Sequence, residues 1–407
     1  MNRWLIALAG TLLQMLLGTV YAWSFFQKPL AEKYDWSNTQ VAWAFSLAIC
    51  FLGLAAAWGG VNLPRFGPRR LAVCGGLLFG AGYLLASLAF HWHSLALLYV
   101  GYGVVSGIGL GLGYVTPVAT VAKWFPDKKG LATGMVIMGF GFGALIMSKA
   151  IAPWLMACTN RDFVKIFSLM GVGFAILSVA AASFLRNPPA TETAGANSAS
   201  PGGVSAWSQL RAVLRPKFFL LWTIFFCNIL AGISIISFQS PLMQDLWRKI
   251  DSHLSVETLE SYGATLIAVS SLFNGVGRML WGGLSDRIGR VWAFRIMLGS
   301  QIAAFVLLTV TNNPWLFGAL ICYVLLCYGG GFGTMPAFVL DVFGGRSMAV
   351  AYGAILTAWA AAGVAGPQMI AFLKDHYAAN AGSLAFWSSA AVLGVGLILA
   401  IAWREGK

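Results

Sequence analysis

Apolar stretches recur along this chain at the length that spans a lipid bilayer. A helix needs about 20 apolar residues to cross the hydrocarbon layer. Stretches of that size fall at 4–27, 40–61, 71–91, 95–122, 130–156 and 164–185, then at 218–240, 260–284, 291–311, 314–341, 348–373 and 383–403. Between the two sets lies Arg186–Lys217, rich in Ala, Ser, Gly and Pro, which reads as a flexible linker. Composition agrees. With 59% hydrophobic and 10% charged residues, the chain cannot cover a soluble surface, for which about 25% charge is usual. The expected fold is all-α: twelve transmembrane helices in two six-helix bundles, residues 1–186 and 217–407, joined by a linker over 187–216.

The net charge of +13 would suggest nucleic acid in a soluble protein. Here its distribution assigns it to topology. With the N-terminus inside, the inner loops hold 17 of the 26 Lys and Arg residues and the outer loops seven. That bias places both termini and the linker in the cytoplasm of an inner (plasma) membrane protein. The remaining two, Lys149 and Arg278, lie inside spans. The opening "MNRWLIALAG" resembles a signal peptide, but its apolar run continues to Phe26 with no small-residue cleavage site, so it reads as an uncleaved first span. The six cysteines show no CxxC or metal spacing. His91, His93, His253 and His376 all fall in outer loops, and no span holds a cluster of His, Asp and Glu. Intramembrane enzyme chemistry lacks its parts, and no metal, cofactor, nucleic acid or obligate protein partner is expected.

The two halves repeat. "GGVNLPRFGPRR" (59–70) follows span two and "GGLSDRIGR" (282–290) follows span eight. "FPDKKGLATG" (125–134) opens span five and "FGGRSMAVAYG" (343–353) opens span eleven. Offsets near 220 residues with one orientation describe a parallel six-span duplication. At these residues the chain resembles the major facilitator superfamily, whose loop signature G-x-x-x-D-R-x-G-R "GGLSDRIGR" matches in full. The N-terminal copy has Pro64 where the family's latch-forming Asp is usual. "KWFPDKKGLATG" (123–134) and "LFNGVGRMLWGGLSDRIGR" (272–290) are most similar to the oxalate:formate antiporters, and "WFPDKKGLATGMVIMG" also fits the monocarboxylate porters.

Arg278 is the residue with the most to explain. A guanidinium within a span costs at least roughly 2.5–3.5 kcal/mol, and no Asp or Glu of its own span lies near it. It either pairs with a helix end or waits for an anion in a water-filled cavity, where it could grip a carboxylate with two N–H groups. The resemblance implies the second role. Asn274, one turn earlier on the same face, takes a position where the monocarboxylate porters usually carry a proton-coupling Asp. Asparagine cannot carry that proton; it can orient Arg278, bond a substrate hydroxyl or bridge helices. Trp359 stands where the oxalate porters place a second cation, which argues for a monoanion unless the indole merely packs. The same resemblance implies that Tyr21, Tyr114, Phe140, Tyr328 and Phe332 line the cavity. Lys149, near the outer end of span five, is expected to snorkel to the boundary.

The expected function is secondary active transport of a small monocarboxylate of lactate or pyruvate type, coupled to H+ by symport. An oxalate/formate exchanger and a membrane carboxylate sensor are the alternatives. For the proton, elimination leaves Glu260 and Glu257 at the outer start of span eight. They share a face if helical, and mutual repulsion would raise one pKa; a solvated surface pair is the other reading. Asp341, closing span ten, is expected to serve a helix-end latch.

Overall fold

The computed structural model describes residues 2–125, 129–189, 213–377 and 380–403. The predicted linker lies outside them from 190 to 212, as do 126–128 of the loop opening span five. Twelve long helices run through the described residues: α1 (Arg3–Tyr34), α2 (Asn38–Phe66), α3 (Pro68–His91), α4 (Leu95–Trp124), α5 (Ala132–Cys158), α6 (Phe163–Ser183), α7 (Pro216–Ile250), α8 (Val256–Ile288), α9 (Arg290–Val310), α10 (Pro314–Gly344), α11 (Val350–His376) and α12 (Ala381–Ala402). Eleven are long and apolar enough to cross a membrane. The exception, α8, has the length, 33 residues, but its charged residues lower its apolarity. Helices adjoining the linker define a linker face; the opposite side is called here the far face.

Several helices outrun the apolar stretches that announced them. Apolarity marks only the buried length, whereas capping side chains set where a helix stops. Ser255 caps α8 through the Thr258 N–H four residues before the predicted span, and α7 continues ten residues past Ser240. Ser37 and Gln40 form a reciprocal capping box at the start of α2. Helical backbone also continues from α10 through Ile355, kinked at Gly344, where the sequence suggested a loop.

Within the first half, α3 packs on α6 and α4, α2 on α4, and α1 on α5. Within the second, α8 packs on α10, α9 on α12, and α7 on α10 and α11. Two seams join the halves, α2 with α11 and α5 with α8. They exchange under the six-helix repeat, as a parallel duplication requires. Small residues let the backbones approach: a β-carbon on Gly141 of α5 would lie 2.9 Å from the Cα of Gly275 of α8.

The repeated loops are shaped by glycine. Gly67 (φ 75°) and Gly289 (φ 91°) turn the chain at matching places in the two copies, each directly before a new helix. Behind Gly289, Arg290 pairs with Asp286 and with Asp341 (3.3 Å) and donates to Ser285 Oγ, tying the ends of α8, α9 and α10. Among the described residues no ion pair includes Arg65, Arg69 or Arg70, so the copy with Pro64 has no such charge latch.

A β-carbon at Gly289 would be strained by its φ of 91° and ψ of 147° although no atom obstructs it. Gly289→Ala is expected to lower stability by about 1–3 kcal/mol, seen as a lower thermal midpoint in detergent. Gly283→Ala, on open helical surface, should leave the midpoint in place.

Candidate functional site

α8 carries Arg278 to the middle of the molecule, where the side chain is 3% exposed. Its Nη1 donates to the backbone oxygen of Ile137 on α5, across the seam, at 3.2 Å. The Nε and Nη2 N–H groups are buried and meet no acceptor. Phe140 and Phe332 flank the guanidinium, 5.8 and 5.2 Å from its carbon to their ring centres. Cation–π contacts are worth about 0.5–2 kcal/mol each. They offset only part of the several kcal/mol that an uncompensated buried charge costs. Among the described residues no carboxylate pairs with Arg278.

The six aromatic residues expected at the site converge on this arginine. Tyr21 reaches in from a tight 3-10 turn, Thr19–Ala22, that interrupts α1. Its hydroxyl bonds that of Tyr328 on α10 at 2.6 Å, a bridge between the halves, and its ring meets Phe140 edge-on at 5.0 Å. Tyr114 of α4 contacts Phe140 at 5.2 Å and Trp359 at 5.3 Å. Trp359 of α11 stands 4.7 Å from Phe332. All six are buried. The Trp359 Nε1 N–H finds no partner, and the Tyr114 hydroxyl lies beside the guanidinium without reaching hydrogen-bond geometry. The cage offers N–H and O–H groups, aromatic faces and one cation. Such a lining can hold an anionic end and a small apolar body.

A cavity of about 520 Å3 leads to Arg278 from the linker side, between α5 (Thr133, Gly134, Ile137) and α8 and α10 (Met279, Gly333, Pro336). Asn274 lies beside the cage but turns elsewhere. Its Oδ1 sits close over Gly329 of α10, and no hydrogen bond joins it to Arg278. Lys149 is exposed and donates to Thr265 Oγ1 at 2.6 Å, well away from the cage.

A model of the Major Facilitator Superfamily matches residues 4–367. The chain belongs to the Major Facilitator Superfamily. Its members here are transporters, not enzymes. Similar proteins include the uncharacterized MFS-type transporter YhjX of Escherichia coli (29% identical, covering 87% of this chain and 84% of that one). The oxalate:formate antiporter of Oxalobacter formigenes is 27% identical over 93% of this chain and 87% of its own. The apicoplast pyruvate carrier 1 of Toxoplasma gondii is 29% identical over 77% and 66%. The fold matches that of the nucleoside transporter NupG (TM-score 0.72, 11% identical, 98% of this chain and 100% of that one). It also matches a bacterial homolog of the lysosomal transporter Spinster (TM-score 0.67, 16% identical, 98% and 95%).

Polar bridges gather at the far face. The Asp375 carboxylate, ending α11, accepts from the Asn38 N–H and Nδ2 and from the Thr39 N–H, at 2.9–3.0 Å, and so caps α2 of the other half. Asp245 of α7 takes Lys374 at 2.6 Å and Lys28 of α1 at 3.8 Å. Arg161, between α5 and α6, pairs with Glu260 of α8.

Mutual repulsion is therefore not the sole interaction acting on the acidic pair. Glu260 has an opposite charge from the other half as its partner. Hydrogen bonds from its own backbone N–H and from Ser255 hold the exposed Glu257 carboxyl below its usual range, so it stays ionised. Sequence reading missed Tyr352, which lies within electrostatic range of Arg278 and Tyr114. It precedes Trp359 by seven residues, a same-face spacing that could have revealed it. The Ile137 carbonyl had no side-chain signal to find.

Ser24 is buried between the cage and the far-face bridges. In a background with the exposed Cys74 and Cys158 replaced, Ser24→Cys should react slowly with a thiol reagent applied from the far face. Adding Asp375→Ala, which removes three bonds between the halves, should raise that labelling rate severalfold.

Proposed function

We propose that this chain is a secondary active transporter of small monocarboxylates of lactate or pyruvate type, working by alternating access. Residues 1–186 and 217–407 rock as two units about Arg278, with both termini and the linker on the cytoplasmic side of the inner membrane. The observation that carries the reading is the pair of unmet N–H groups on the buried Arg278 guanidinium. Nε and Nη2 lie on one edge of the planar group, the edge that fits the two oxygens of a carboxylate. Trp359 and the aromatic faces around it supply an apolar wall where a dicarboxylate would want a second cation. The names of the oxalate:formate antiporter and the pyruvate carrier support a carboxylate cargo.

For coupling, Glu260 is the favoured proton site. Protonation would discharge its bridge to Arg161 and weaken closure of the far face. A proton arriving there thus opens the site to the side from which substrate comes. A second reading, carboxylate exchange, is favoured by the same Arg278: returning through the closed state without an anion leaves a desolvated charge unpaired.

Reconstituted protein should take up labelled lactate or pyruvate, with lactate-like anions competing better than oxalate; a pure sensor would show no uptake. Arg278→Lys keeps the charge but loses the two-pronged geometry. Its uptake is expected to fall at least tenfold, about 1.4 kcal/mol. Normal uptake by Arg278→Ala at equal expression would remove the arginine from the site.

Glu260→Gln should abolish accumulation driven by an inward proton gradient while exchange of labelled for unlabelled substrate survives. Glu257→Gln should accumulate normally. Gradient-driven uptake that persists in the double variant would move the proton to another carrier.

A further inference from the structure

A second cavity, about 760 Å3, lies between the halves toward the linker face, away from Arg278. Its walls are α2 (Trp58, Val61, Asn62) on one side and α7 and α11 (Phe219, Trp222, Ala354) on the other. The polar groups in it are already engaged: Asn62 Nδ2 donates to the Trp58 oxygen and Trp222 Nε1 to Thr357 Oγ1, each at 2.9 Å. What remains is apolar. Trp58 and Phe219 are 51% and 56% exposed, so the groove opens sideways, where the spans meet hydrocarbon.

Two arginines lie close in sequence to residues that line the groove at the linker side. Arg65 follows Val61 and Asn62 by one turn on the same helix face. Its guanidinium lies over the Phe66 ring at 5.4 Å, and that ring stacks on Trp58 at 5.8 Å. Arg215 adjoins Leu214, another lining residue. Both arginines are exposed, and neither has an ion pair among the described residues.

An apolar slot open to hydrocarbon, with two exposed arginines nearby at the ends of α2 and α7, fits an amphiphile of opposite charge. We propose that this groove binds an anionic glycerophospholipid, one acyl chain against Trp58 and Phe219 and the phosphate at Arg65 and Arg215. The groove is walled by both halves, so its width changes when they rock. A seated chain therefore favours the arrangement seen here over one that alters the α2–α7 spacing.

The test is native mass spectrometry of the purified, delipidated full chain, titrated with phosphatidylglycerol and with phosphatidylcholine of identical acyl chains. The wild type should retain one phosphatidylglycerol in clear preference, at about fivefold per contributing cation. Arg65→Gln with Arg215→Gln should equalise the two lipids, whereas Arg65→Lys should keep most of the preference. Ala354→Trp, which fills the groove, should reduce retention of both, provided its thermal midpoint shows it folded. A photoactivatable phosphatidylglycerol should label peptides containing Trp58 or Phe219. Equal binding of the two lipids by wild type, or a preference that survives in the double arginine variant, would mean annular lipid only and would overturn the site.

Discussion

A guanidinium held inside a membrane protein, with no carboxylate paired to it among the described residues, is the constraint around which the rest is arranged. Arg278 is buried, bonded once to a backbone carbonyl and flanked by two phenyl rings. Neither a carbonyl nor a ring face neutralises it. A buried charge left in this state marks a candidate site for an anion. The aromatic residues around it come from both halves, so the cage is complete only while the halves are apposed.

That apposition is asymmetric. At the far face, carboxylates on the second half meet donors on the first: Asp375 with Asn38 and Thr39, Asp245 with Lys28, Glu260 with Arg161. Halfway down, the hydroxyls of Tyr21 and Tyr328 add one more bridge. Toward the linker face, two cavities lie between residues of both halves, one reaching Arg278 and one lined by Trp58 and Phe219. The direct polar bridges between the halves thus gather toward the far face.

The repeat in the sequence gives two similar units, but they are not equivalent in their fastenings. Gly289 and Gly67 turn the chain alike. Among the described residues the second unit alone shows a latch of this kind, Asp286–Arg290–Asp341; the first has proline at the matching acidic position. Arg65, one turn beyond the groove residues Val61 and Asn62, has no ion pair among the described residues.

Much of this was legible in the chain itself. Twelve apolar stretches, a six-and-six split and a duplicated loop fix an all-helical membrane fold, because in hydrocarbon each backbone polar group must be satisfied within its own helix. Arg278 announces itself because a charge in such a stretch is costly enough to need a reason. Other features were decided only by tertiary structure. Whether Asn274 turns to Arg278 or to α10 depends on a helix crossing at Gly329 that no local pattern encodes. The Ile137 carbonyl is a backbone group and leaves no mark in side-chain chemistry. Glu257 and Glu260 look alike along the chain, and only the approach of Arg161 from the other half separates them. Helix periodicity sets which residues share a face, but which faces meet is set by the packing of two halves whose contacts lie more than a hundred residues apart.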